Sequence, residues 1–145
     1  MMLQAVRREA LELRRFYPVA PDRVWRAWVE ADALREWFGQ ASARSWNAAL
    51  DVRPGGRYRL TMELPDGTPY DAYGIYREVA EGRRLVFTWT WTAAPEAVEA
   101  VISVDLAPVE GGTEMQFRLD PMIDPRERDA WRADFRRLGH HFEKE

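Results

Sequence analysis

From residue 54 onward the chain is cut at short intervals by turn-forming stretches: RPGG at 53–56, PDGT at 65–68, AEGR at 80–83, AAPEA at 93–97 and EGGT at 110–113. Between them lie short runs in which bulky and small or polar residues alternate. Turn residues spaced this way around period-two runs predict an antiparallel meander, with strands at about 44–52, 56–64, 68–79, 83–92, 98–107 and 113–119. The clearest run is LVFTWTWT at 85–92, where Leu85, Phe87, Trp89 and Trp91 alternate with Val86, Thr88, Thr90 and Thr92. On a strand the first four side chains share one face. That row has three readings: a filled core, a surface for a partner protein, or the wall of a cavity.

Ahead of the meander, Leu11, Leu13 and Arg15 alternate with Glu12, Arg14 and Phe16, which predicts one further strand ending at Pro18. The period then changes. APDRVWRAW opens with Pro21 and Asp22 as helix-start residues and places Val24, Trp25 and Trp28 on one helical face. ADALREWFG groups Leu34, Trp37 and Phe38 and stops at Gly39, giving a second short helix. At the other end, Trp131, Phe135, Leu138 and Phe142 recur at i, i+4, i+7 and i+11 behind Asp124 and Pro125, the stripe of a long final helix. No linker, repeat or low-complexity segment interrupts this order, so residues 1–145 are expected to form a single α+β domain, β-α-α-β6-α.

Seven strands at about 4.8 Å spacing make a sheet roughly 30 Å wide, whereas a helix with its side chains is about 10–12 Å across. One helix cannot cover such a sheet flat, so the sheet must curl around it. The inner face is then built from Tyr58, Leu60, Met62 and Leu64, from Leu85, Phe87, Trp89 and Trp91, from Ile102, Val104 and Leu106, and from Met115, Phe117 and Leu119. Trp and Tyr carry polar atoms that need partners when buried, which suits a half-wet wall better than a dry core.

The words FYPVAPDRVWRAWVEADALREWFG, DVRPGGRYRLTM, GIYREVAEGRRLVFTWTW and GGTEMQFRL, with the final helix around Trp131, cover the chain from about Leu11 to Phe142. In this order they resemble the Hsp90-ATPase-activator-homologue-like (AHSA1-type) proteins, a branch of the START-like, SRPBCC or Bet v 1-like helix-grip superfamily. The resemblance implies a curved antiparallel sheet gripping a long C-terminal helix, with a hydrophobic cavity between them. Related superfamily members bind lipids, hormones or polyketides, and some are cyclases. The eukaryotic namesakes stimulate Hsp90 but carry a large extra N-terminal domain absent from this sequence, so Hsp90 is not implied as a partner. One departure is Ala130 immediately before Trp131, where the family often has Gly.

On this reading the first function is a module binding a small apolar or amphipathic ligand, with a stress-related role as one setting. The expected cavity-lining residues on the sheet are Tyr58, Met62, Phe87, Trp89, Trp91, Met115 and Phe117. On the helices they are Trp131, Phe135 and Trp37, the last placed at an entrance. Alternatives are a cyclase- or hydrolase-type enzyme using the same cavity, and a co-chaperone-like protein-interaction module, with a homodimer through an exposed strand among its forms. An enzyme needs an inward-facing carboxylate or His, and the sequence names none. His140 and His141 are adjacent on a helix, so their side chains diverge and do not share a metal. RPGG leads into a strand rather than a helix and lacks a phosphate-loop spacing, so it reads as a turn.

Composition narrows the partners. A formal charge of -3 gives no broad electrostatic attraction to nucleic acid. Cysteine is absent, which excludes disulfides, thiolate metal sites and a Cys nucleophile. The start has no signal-peptide pattern and no apolar run reaches membrane-spanning length, so neither membrane insertion nor secretion is expected and the chain is assigned to the cytoplasm. No cofactor is expected.

Overall fold

The computed structural model describes residues 9–39, 43–91 and 99–144. Its elements run β1 (Leu11–Tyr17), α1 (Pro21–Val29), α2 (Ala31–Trp37), β2 (Ser45–Leu50), β3 (Arg57–Glu63), β4 (Pro69–Ala80), β5 (Arg84–Trp91), β6 (Ala100–Val109), β7 (Gly112–Asp120) and α3 (Arg126–Glu143). This is the β-α-α-β6-α order read from the turn spacing, with strand ends moved by one or two residues. Thr92 and the AAPEA turn lie outside the described residues. The seven strands form one antiparallel sheet in the order β1-β7-β6-β5-β4-β3-β2, so the first strand closes against the last and β1 and β2 are the edges.

The alternation expected of β5 holds only in part. Leu85, Phe87 and Trp89 face the core, but Val86 and Thr88 are buried as well. Thr88 is engaged from two neighbouring strands. Between the Tyr73–Thr90 and Tyr76–Phe87 pairs, Ile75 N–H donates to the Thr88 hydroxyl at 2.8 Å, while the Thr88 carbonyl accepts from the Tyr58 hydroxyl of β3. Gly74 makes the arrangement possible: a Cβ at that position would stand 2.1 Å from the Thr88 carbonyl oxygen. The β4–β5 register then shifts between Tyr76 and Glu78. Such irregularities bend a strand.

The helices fill the concave side. Pro21 and Asp22 occupy the first turn of α1, where no side chain caps the helix and the Asp22 charge complements its dipole. Glu30 alone joins α1 to α2. At the start of α3, Glu127 accepts the N–H groups of Ile123 and Asp124 at 3.0 and 2.8 Å, while Asp124 accepts from Arg126 N–H at 2.9 Å. The Tyr17 hydroxyl donates to the Phe135 carbonyl at 3.0 Å and ties β1 to α3. At the centre, the Trp28 ring lies 4.8 Å from Trp37, 6.3 Å from Phe117 and 6.5 Å from Trp131, joining both short helices to sheet and final helix in one core.

A candidate ligand cleft

The space between sheet and α3 is mostly filled. What remains inside is an apolar void of about 30 Å³, bounded by Trp28, Tyr58, Phe87, Trp89 and Trp131 among others. That volume holds little more than one water. Among the described residues the enclosed part of the space expected from the aromatic rows is this small, because those rows interdigitate. Phe117 meets Trp131 at 4.7 Å and Phe135 at 5.0 Å, and Tyr58 meets Phe87 edge-on at 5.5 Å.

A larger space lies just outside, where the ends of β3, β4 and β5 face α3. This cleft of about 450 Å³ is walled by Met62, Tyr70, Trp89, Trp91 and Trp131, with Phe38 and Gly39 at the end of α2. Phe38, Trp89 and Trp131 border both spaces. Their rings form a near-equilateral triangle, with centroids 5.7 Å apart for Phe38–Trp89 and 5.6 Å for both Phe38–Trp131 and Trp89–Trp131. Three aromatic side chains thus partition the void from the cleft. Gly39 takes φ +83° there, a left-handed conformation that allows the chain to turn away from α2 beside Met62.

The cleft has a polar side. Glu127 and Asp134 project from α3 on the face that carries Trp131, and both are almost fully buried. Burial pushes the Asp134 carboxyl up to about 7 even though Arg137 and the Gly39 N–H favour its charged form. Burial likewise raises Glu127, against the two backbone N–H groups it accepts. Arg137 also donates to the Trp37 carbonyl at 3.2 Å, so Asp134 and Arg137 together clamp α3 to α2. Tyr70 lies over Trp91 at 5.9 Å, and its hydroxyl is raised first by burial and then by Asp134 and Glu127. The Trp91 indole N–H is buried and has no hydrogen-bond partner among the described residues.

The sequence candidates separate cleanly in space. Trp89 and Trp131 line both void and cleft, Met62 and Trp91 line the cleft, and Tyr58 and Phe87 line the void. Trp37, Met115, Phe117 and Phe135 line neither. Trp37 does not stand at an entrance: its indole donates to the Ala27 carbonyl at 2.9 Å inside the core, and Phe38 takes the entrance position. Sequence reasoning passed over Tyr70, Glu127, Asp134 and Arg137. A signal for two of them existed, since Glu127, Trp131, Asp134 and Leu138 follow the same i, i+4, i+7, i+11 spacing as the apolar stripe. Among the described residues no group of three or more His, Asp or Glu is placed to hold a metal ion, and no helix is long and apolar enough to cross a membrane.

Comparison with known proteins supports this geometry at the level of fold. The family model described as activator of Hsp90 ATPase homolog 1-like protein matches residues 18–143. A crystallised protein from Chromobacterium violaceum superposes with a TM-score of 0.82 at 23% identity, over 91% of this chain and 95% of its own. A protein from Rhizobium leguminosarum gives 0.78 at 25% identity, over 94% and 95%. An AHSA1 protein from Silicibacter pomeroyi gives 0.76 at 22% identity, over 93% and 98%. No curated protein matches the chain.

Proposed function

The chain belongs to the activator of Hsp90 ATPase homolog 1-like family, and from that premise we propose that it binds one small, largely apolar molecule in the cleft between β3–β5 and α3. The observation that carries the reading is the cleft itself. About 450 Å³ of aromatic-walled space falls within the size range of small-molecule sites, whereas the 30 Å³ void does not. The ligand body would lie against Trp89, Trp91 and Met62, with apolar contact as the main source of affinity. One polar atom of the ligand would accept the Trp91 indole N–H, giving that buried donor the partner it lacks. Glu127 and Asp134 on the facing wall disfavour an anionic ligand and suit a neutral hydroxyl or carbonyl compound.

A second reading, acid–base chemistry on the bound molecule, draws on Asp134, whose carboxyl is pushed up to about 7 in the cleft wall. Its oxygens are engaged by Arg137 and the Gly39 N–H, which favours a role in clamping α3. Native mass spectrometry of the purified protein tests the binding reading. A non-covalent mass is expected to co-purify and to be lost in folded Trp89→Ala and Trp91→Ala variants. A bare protein whose tryptophan emission also stays unchanged on titration with a long-chain alcohol and a sterol would overturn it.

A further inference from the structure

On the opposite side of α3 lies a second, unrelated feature. A groove of about 800 Å³ runs between the β1 end of the sheet and α3. Its lining includes residues 15–19 of β1 and the segment after it, but none of β7. The groove therefore opens along the side of β1 that has no strand neighbour among the described residues. Arg15, Arg23, Arg132 and Arg136 face it together with His140, and the one carboxylate in its lining, Glu143, lies 3.3 Å from that histidine.

This concentration of positive charge stands out in a chain of net charge -3. Several arginines elsewhere are matched: Arg14 with Glu114, Arg44 with Glu63, Arg59 with Asp71, Arg84 with Asp105 and Arg118 with Glu12. Arg15, Arg132 and Arg136 have no carboxylate partner among the described residues. Arg23 sits over the Phe142 ring, its guanidinium carbon 5.7 Å from the centroid. Beneath the charges the floor is apolar, formed by Val19, Phe135 and Phe142, and Phe16 beside it is 54% exposed.

We propose that this groove docks an extended acidic peptide segment of a partner protein, laid beside the free edge of β1 with alternate carboxylates facing Arg132 and Arg136. Three observations converge on it. An edge strand offers unpaired backbone N–H and C=O groups to another extended chain. Arg132 and Arg136, one helical turn apart, are separated by about 6 Å along the axis, close to the roughly 6.7 Å between alternate residues of a strand. Phe16, exposed on the outward face of β1, seats the intervening side chains, which a polyphosphate does not possess. The negative charge of the rest of the molecule works against long polyanions that extend past the groove.

Fluorescence polarisation with the full chain and two short labelled peptides of identical composition tests this. One peptide carries Glu at every second position between Val residues, and the other carries all its Glu residues in one block. The alternating peptide is expected to bind more tightly. An Arg132→Glu/Arg136→Glu variant, with its fold checked by circular dichroism and thermal melting, should weaken it on the order of tenfold or more, as expected for reversing two exposed ion pairs. The same variant should gain affinity for a peptide with Lys in place of Glu. Equal binding of the two peptides, insensitivity to the reversal, equally tight binding of inorganic tripolyphosphate, or no saturable binding at low salt would each overturn the proposal.

Discussion

Replacing Asp134 by Asn removes one titrating group from the clamp between α2 and α3 while keeping its size and its ability to accept from Arg137. In the folded protein burial raises this carboxyl from the ordinary 3.8 to about 7. An unfolded chain ionises it near the ordinary value, so between these limits the folded state holds one more proton. Stability then falls as pH rises through this window, by about 1.4 kcal/mol per pH unit. Over the whole interval that amounts to on the order of 4 kcal/mol, a large share of what a domain of this size has. The side chain is only 9% exposed, so solvent screening reduces the figure little. Glu127, Tyr70, Arg137 and the Gly39 N–H all face the same group, and the Asn variant leaves them in place. Urea denaturation followed by tryptophan emission, at constant ionic strength across the window, gives stability curves for both proteins. The wild-type minus variant difference should decline from acid to neutral pH and level off above it. A flat difference, or one that rises with pH, would refute the assignment of a buried, proton-binding Asp134.

Two further substitutions probe the sheet and the cleft. Gly74→Ala should destabilise by about 1–3 kcal/mol in the same assay, because the added methyl meets the Thr88 carbonyl at 2.1 Å, a backbone atom that cannot move without disturbing the Tyr58 hydrogen bond. Trp91→Phe removes a buried donor without a partner, a group whose burial costs about 1–3 kcal/mol. The ligand-free variant is therefore expected to melt no lower than wild type while binding any co-purified molecule more weakly. A clear loss of stability would mean that the indole N–H matters to the empty protein.

Turn chemistry carries most of the fold, and that part is legible residue by residue: each described stretch between punctuated turns became a strand, and each change from period two to three-and-four spacing became a helix. The site was harder to read for physical reasons. An aromatic row such as Phe87, Trp89 and Trp91 has the same pattern whether its rings interlock or enclose space, and only the opposing side chains decide. Here Phe87 lines the small void, Trp91 the open cleft and Trp89 both. Trp37 and Phe38 are neighbours in sequence, and which one turns into the core depends on the left-handed Gly39 and on the Ala27 carbonyl that captures the Trp37 indole. Glu127 and Asp134 share the helical phase of Trp131, but a charge on a helix reads as solvent-facing until a second wall appears opposite it. Tyr58 is the extreme case, since its hydroxyl reaches across β4 to Thr88 on β5, a contact that depends on the absence of a side chain at Gly74.

The pairing of β1 with β7 sets an order of events as the chain is made. Leu11 lies opposite Leu119 and Tyr17 opposite Thr113, so the first strand has no sheet neighbour until the last strand has left the ribosome. Contacts so distant along the chain carry a high closure entropy and slow the final assembly. Until then the apolar side chains of β1, α1 and α2 wait for partners that arrive last, Phe117 and Trp131 among them. Interruption of synthesis before α3 would leave Trp28 without Trp131 and Phe135 and Trp37 without Phe135, a partly uncovered apolar face of the kind that chaperones attend.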